Sequence, residues 1–162
     1  MTLDRRTLLA LSAAAAASPA AAAATADPLR NVIVVNALGG LGDPNFPEPP
    51  RPVLTPRILA DARASGTTAV NITIGFVAGQ AEPFQASVAE VAQWTRLIRE
   101  NPNDVTLILT AADIARAKRD GKIGVIFGFQ NAAQMGDDAS RVDIFADMGV
   151  RVIQLTYNLR NQ

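Results

Sequence analysis

Chemistry in this chain has to be done without imidazole or thiol, because the sequence contains no histidine and no cysteine. Thiol nucleophiles, thiolate metal ligands and disulfides are therefore excluded. The polar residues worth following sit where apolar runs end. Gln130 follows Ile126-Phe127-Gly128-Phe129, so a strand there would carry its amide to the strand's carboxyl end. Asn36 ends Val32-Ile33-Val34-Val35, and Asp43 lies just beyond it in a Gly/Pro-rich stretch, where aspartate reads first as a turn residue. Gly39-Gly40-Leu41-Gly42 invites comparison with a phosphate-binding loop, but Asp43-Pro44-Asn45-Phe46-Pro47 follows. A phosphate cradle needs a helix N-terminus at that point, so a dinucleotide site is excluded.

The elements that position these residues alternate. Val32–Val35, Thr68–Ile74, Val105–Leu109, Ile123–Gly128 and Val150–Leu155 are continuous apolar runs, predicted to be strands covered on both faces. Between them, Thr55-Pro56 caps and opens a helix that runs to about Ser65 and stops at Gly66. Phe84, Val88, Val91, Thr95 and Ile98 form the stripe of a second helix, ending before Asn101-Pro102. Thr110 with Asp113 reads as a capping box for a third helix over Ala111–Asp120. Asp137 and Asp138 favour a fourth helix start, with Val142, Phe145 and Met148 on its apolar side. Strands separated by helices imply an α/β fold with a parallel sheet, either open and doubly wound or closed as a barrel. The long loop from Gly39 to Thr55, with prolines at 44, 47, 49, 50 and 52, leaves the carboxyl end of the first strand, the side on which such folds place their sites.

Residues 1–26 differ from the rest. Arg5-Arg6, the short run Leu8-Leu9-Ala10-Leu11 and an alanine-rich tract make up the pattern of a secretory signal peptide. Asp4-Arg5-Arg6-Thr7-Leu8-Leu9 resembles a twin-arginine signal, which implies the Tat export machinery as a partner and a periplasmic or secreted location. Without Asp4, Arg5 and Arg6 the remaining domain, 27–162, has 13 basic and 14 acidic side chains, a net charge of −1. Nothing in that balance gathers nucleic acid, and no later apolar run is long enough for a membrane span.

Two segments carry a resemblance. Gly121-Lys122-Ile123-Gly124-Val125-Ile126-Phe127-Gly128-Phe129-Gln130-Asn131-Ala132 and Gly149-Val150-Arg151-Val152-Ile153-Gln154-Leu155-Thr156-Tyr157-Asn158-Leu159-Arg160-Asn161 are similar to two strands of the membrane (renal-type) dipeptidase family, peptidase family M19 of the metal-dependent hydrolases. The resemblance implies a (β/α)8 TIM barrel with two bridged zinc ions that hydrolyses dipeptides. Such a barrel needs about 250 residues, so 27–162 is expected to be its first half only. The family's first-strand histidine and aspartate fall on Leu38 and Gly40, its bridging glutamate on Gln130, and a substrate-contacting histidine on Tyr157. Neither Leu38 nor Gly40 can ligate zinc through a side chain, and a neutral amide is a poor replacement for a bridging carboxylate.

The expectation is a divergent dipeptidase-like metallohydrolase acting on a dipeptide or small peptide. Gln130 and Tyr157 are its candidate catalytic residues, and Asn36, Tyr157 and Asn158 its candidate substrate-binding residues. No residue of this segment is a metal ligand, and the full-length protein should hold at most one zinc. The competing expectation is a non-catalytic periplasmic peptide-binding or scaffold relative of the same barrel. The oligomeric state is left open.

Overall fold

The computed structural model describes residues 28–47, 51–78 and 82–157. The expected signal peptide and Asn158 lie outside them. Every described strand and helix belongs to the unit Asn31–Gln162. The order is β1 (Val35–Gly39), α1 (Pro56–Ala64), β2 (Ala69–Thr73), α2 (Pro83–Glu100), β3 (Val105–Leu107), α3 (Ala111–Asp120), β4 (Ile123–Phe129), a 3-10 turn (Ala133–Met135), α4 (Arg141–Asp147) and β5 (Val150–Ile153). No described helix is long and apolar enough to cross a membrane.

The helices begin and end for local reasons. Thr55 accepts a hydrogen bond from the Ile58 N–H (3.2 Å), with Pro56 in the first turn of α1. The capping box at Thr110 is present: Asp113 Oδ2 accepts from the Thr110 and Leu109 N–H groups (2.8 and 2.9 Å). Gly121 closes α3 in the left-handed region (φ 66°), a C-cap conformation that glycine adopts without strain.

All five strands are parallel. Alternate residues of β4 bond to opposite edges. Gly124 N donates to Thr68 O (2.8 Å) and Gly128 O accepts from Ile74 N (2.9 Å) on the β2 side. Ile123 N, Val125 O and Phe129 O meet Asp104 O, Ile108 N and Gln154 N, each at 2.9 Å, on the other side. Segments β3 and β5 therefore share one edge of β4 in tandem, and the sheet runs β1-β2-β4-β5 with β3 filling the amino-terminal part of that last edge.

The two faces of the sheet bury different things. Val70, Ile72, Ile74, Ile123, Val125, Phe127 and Phe129 point to a core closed by Val91 and Trp94 of α2, Met135 and Phe145. Phe129 and Phe84 both meet the Phe145 ring edge-on, at 4.8 and 5.5 Å between centroids. Each fully buried side chain of this size contributes about 1.5–3 kcal/mol. On the opposite face Ala69, Ile108 and Ile126 pack with Ile114 and Ala117 of α3. Gly124 makes room there, since a Cβ at that position would lie 2.8 Å from the Ile108 side chain.

Three strand expectations are corrected. The first strand runs over Val35–Gly39, and Val32, Ile33 and Val35 are exposed instead of covered on both faces; among the described residues β2 is the one strand paired with it. Pairing starts at Val34, whose carbonyl accepts from Thr68 and Ala69 N–H (2.8 and 3.1 Å). β3 stops at Leu107, because the Leu109 and Thr110 amides are claimed by the Asp113 cap. β5 ends at Ile153, and Leu155 is exposed.

Candidate functional site

Side chains alternate along a strand, so the face opposite the main core carries Asn71 and Thr73 from β2 and Gln130 just after β4. The Gln130 side-chain amide donates to Thr73 Oγ1 (2.6 Å), joining the carboxyl ends of the two strands. Asn71 Nδ2 donates to the Ala37 carbonyl (2.8 Å), tying β2 to β1. Its Oδ1 is buried without a conventional hydrogen-bond partner among the described residues and lies over Gly128, where a Cβ would sit only 2.1 Å from it. Glycine is needed there because its α-hydrogen takes the place of a methyl group, in a weak C–H···O contact.

The register Gly39↔Ile72 turns Gly39 toward the helices, so Leu38 and Gly40 share the Asn71/Thr73 face. Leu38 is 61% exposed. The face thus brings Leu38, Gly40, Asn71, Thr73 and Gln130 into one region. Asn36 is not part of it: its Oδ1 accepts from the Leu38 N–H (3.2 Å), and its amide folds back over Gly39 on its own strand. Tyr157 is half-exposed at the end of the described chain, where Gln154 Nε2 holds the Thr156 carbonyl (2.6 Å).

Asp43 is a turn residue. Its Oδ1 accepts from Asn45 N–H and Nδ2 (3.0 and 2.9 Å), and Arg57 Nε lies 3.3 Å from Oδ2. These partners hold its carboxyl below the usual range, the Asn45 backbone N–H foremost.

Three residues escaped sequence reasoning. Asn71 and Thr73, two apart in an otherwise apolar run, were the legible sign of a polar face. Asn131 is buried, donating to the Phe76 and Val77 carbonyls (3.1 and 2.9 Å) and accepting from Ala133 N–H (2.9 Å), so it clamps the loops after β2 and β4 together. Nothing in its local sequence distinguished it from a loop asparagine.

This donor set does not fit a pair of zinc ions. Zinc takes imidazole nitrogen, thiolate or anionic oxygen, and the face offers leucine, glycine, two amides and a hydroxyl. Among the described residues there is no group of three or more His, Cys, Asp or Glu side chains that could hold a metal ion.

Comparison with solved structures places the same fold in known proteins. An amidohydrolase from Pseudomonas aeruginosa is 30% identical, with a TM-score of 0.66, over 82% of this chain and 36% of its own. The probable dipeptidase PvdM from Pseudomonas aeruginosa (20% identity, TM-score 0.62) aligns with 82% of this chain and 37% of its own. A metallo peptidase from Rhodobacter sphaeroides, liganded with a phosphinate mimic of the dipeptide L-Ala-D-Ala, is 15% identical with a TM-score of 0.54, over 60% of this chain and 35% of its own. The chain therefore spans little more than a third of the length of these relatives, and its parallel sheet is part of a larger α/β barrel fold. No curated protein sequence matches it. A sequence profile described as Membrane dipeptidase (Peptidase family M19) matches residues 57–162. With the strand-end residues 71, 73 and 130 inside that match, the chain belongs to the membrane dipeptidase family, peptidase family M19.

Proposed function

We propose that this protein recognises a dipeptide or small peptide at the carboxyl ends of β1, β2 and β4, through neutral groups in place of a two-zinc centre. The observation that carries the reading is the Gln130–Thr73 hydrogen bond. A glutamine paired with a threonine presents an amide oxygen acceptor and a hydroxyl donor, the complements of a peptide's N–H and C=O. In this reading Gln130 and Thr73 bind the peptide backbone, Leu38 contacts an apolar side chain, and Tyr157, which follows β5, adds a phenol; Asn158 is a peptide contact on sequence grounds alone. Asn36 acts indirectly, by shaping the β1 end.

The family match favours a second reading, dipeptide hydrolysis with a single zinc. This segment would then supply no ligand, and Gln130 and Tyr157 would orient the peptide.

Calorimetric titration of the full-length protein with Ala-Ala, with product analysis, separates the two. The first reading expects binding without cleavage, weakened at least about tenfold by Gln130→Ala, the loss of one well-made hydrogen bond. Zinc-dependent cleavage would establish the second reading. Unchanged affinity in both Gln130→Ala and Thr73→Val would remove these residues from the site.

We further propose twin-arginine export to the periplasm, supported by Arg5-Arg6 ahead of the Leu/Ala run. Changing both arginines to lysine should leave uncleaved precursor in the cytoplasm, and normal processing would refute that route.

A further inference from the structure

Backbone pairing between β2 and β4 stops short of Gln130. Among the described residues, the last backbone hydrogen bond between the two strands runs from Ile74 N to Gly128 O (2.9 Å). On the other edge of β4, Phe129 O accepts from Gln154 N (2.9 Å), which does nothing for the β2 side. The spacing of Gln130 and Thr73 therefore depends on what holds the chain just after Gln130. Their own hydrogen bond does not fix it alone, because a glutamine side chain has several rotatable bonds and one such contact contributes only about 0.5–1.5 kcal/mol.

Asn131 takes over where the ladder stops. Its Nδ2 donates to the Phe76 and Val77 carbonyls (3.1 and 2.9 Å), and its Oδ1 accepts from the Ala133 N–H (2.9 Å). The loop it grips is itself fastened to α2. The Gly75 N–H donates to Glu90 Oε2 (2.7 Å) and the Phe76 N–H to Ser87 Oγ (3.0 Å). The Ser87 hydroxyl is fully buried and donates to the Pro83 carbonyl (2.7 Å). The loop after β2 is thus anchored to a helix on one side and to the residue following Gln130 on the other. Asn131 is buried, so it is not itself a peptide contact.

We propose that Asn131 is a positioning residue for the strand-end site: its grip on the loop after β2 sets the Gln130–Thr73 spacing on which peptide affinity depends. The inference rests on the peptide-recognition reading above and adds the residue that acts through Gln130. The alternative is that Asn131 only braces the 3-10 turn through the Ala133 N–H, a role aspartate performs equally. Asn131→Asp separates the two, because it keeps the acceptor for Ala133 and replaces both donors with a carboxylate facing two carbonyls.

The test titrates the full-length protein and its variants with Ala-Ala by calorimetry at neutral pH. Asn131→Ala should weaken binding at least about fivefold, and Asn131→Asp should do the same. In a Gln130→Ala background, Asn131→Ala should change affinity by less than about twofold, because the group it positions is gone. If the protein cleaves Ala-Ala, the same series is read in KM. Either Asn131 variant that folds decides. If neither folds, hydrogen exchange of the Asn131 side-chain amide in the unmodified protein decides, since by linkage saturating Ala-Ala should slow it. Unchanged exchange would overturn the inference. Weakening by Gln130→Ala with no effect of the Asn131 variants would overturn it and leave peptide recognition standing. Full affinity in Asn131→Asp, or an equal loss from Asn131→Ala in both backgrounds, would overturn it in the same way. Failure of the unmodified protein to bind Ala-Ala would overturn both readings.

Discussion

Replacing Gly128 with alanine tests whether the polar face is built as described. A Cβ at position 128 would lie 2.1 Å from Asn71 Oδ1 and 2.9 Å from its Cγ, distances no real methyl group tolerates. Asn71 cannot simply swing away, because its Nδ2 is committed to the Ala37 carbonyl at 2.8 Å. Displacing it forfeits that hydrogen bond, about 0.5–1.5 kcal/mol. Residual crowding costs about 1–3 kcal/mol more. Alanine recovers roughly 0.5–1 kcal/mol of backbone entropy relative to glycine. The net expectation is a loss of about 2 kcal/mol, read by urea denaturation of the full-length protein. The decisive arm is the double variant. Once Asn71→Ala has emptied the space, Gly128→Ala should cost nothing or stabilise slightly, giving a coupling of about 2 kcal/mol between the two sites. A Gly128→Ala cost that is the same in both backgrounds would refute the argument that Asn71 lies over this glycine.

The Asp113 carboxyl is held below its ordinary pKa, first by the Leu109 backbone N–H and then by that of Thr110, with Arg116 adding attraction. The folded state therefore binds fewer protons than the unfolded one as pH falls below about 3.9, so this contribution is complete above that value and lost in acid. Melting curves between about pH 2 and about pH 6 should show a shallower acid loss in Asp113→Asn, with Asp43 and Asp138 supplying the remaining slope; an unchanged slope would exclude the capping role. Gln134 is fully buried and, among the described residues, neither of its side-chain polar atoms has a partner, so Gln134→Met, of similar shape, should stabilise by about 1–3 kcal/mol. A destabilised Gln134→Met would show that the amide has a partner in the complete protein.

Helix ends were the most legible part of this fold, because they depend on residues within a few positions of one another. Thr55-Pro56, Thr110 with Asp113 and Gly121 all perform the local roles their types suggest. The strands were legible as buried runs, but their limits were not. Pairing partners set those limits: Val32 and Ile33 are as β-branched as Val34 and Val35, yet β2 engages the chain only from Val34 onward. Local sequence likewise could not reveal that β3 and β5 divide one edge of β4, since a hydrogen-bond register is a property of two strands. The site divides in the same way. Gln130 and Asp43 behave as strand-end and turn residues should. The partnership of Gln130 with Thr73, 57 positions away, and the Asn71–Gly128 contact arise only once β2 and β4 are side by side.

Metal analysis of the full-length protein after dialysis is the sharpest check on the proposal that neutral groups replace a two-zinc centre at these strand ends. A face offering Leu38, Gly40, Asn71, Thr73 and Gln130 lacks the anionic and nitrogen donors that hold zinc. The account predicts at most one zinc per full-length monomer. It also predicts that Gln130→Glu, by restoring a carboxylate at this strand end, raises metal affinity. Two tightly held zinc ions per monomer, with Gln130→Glu leaving affinity unchanged, would contradict it.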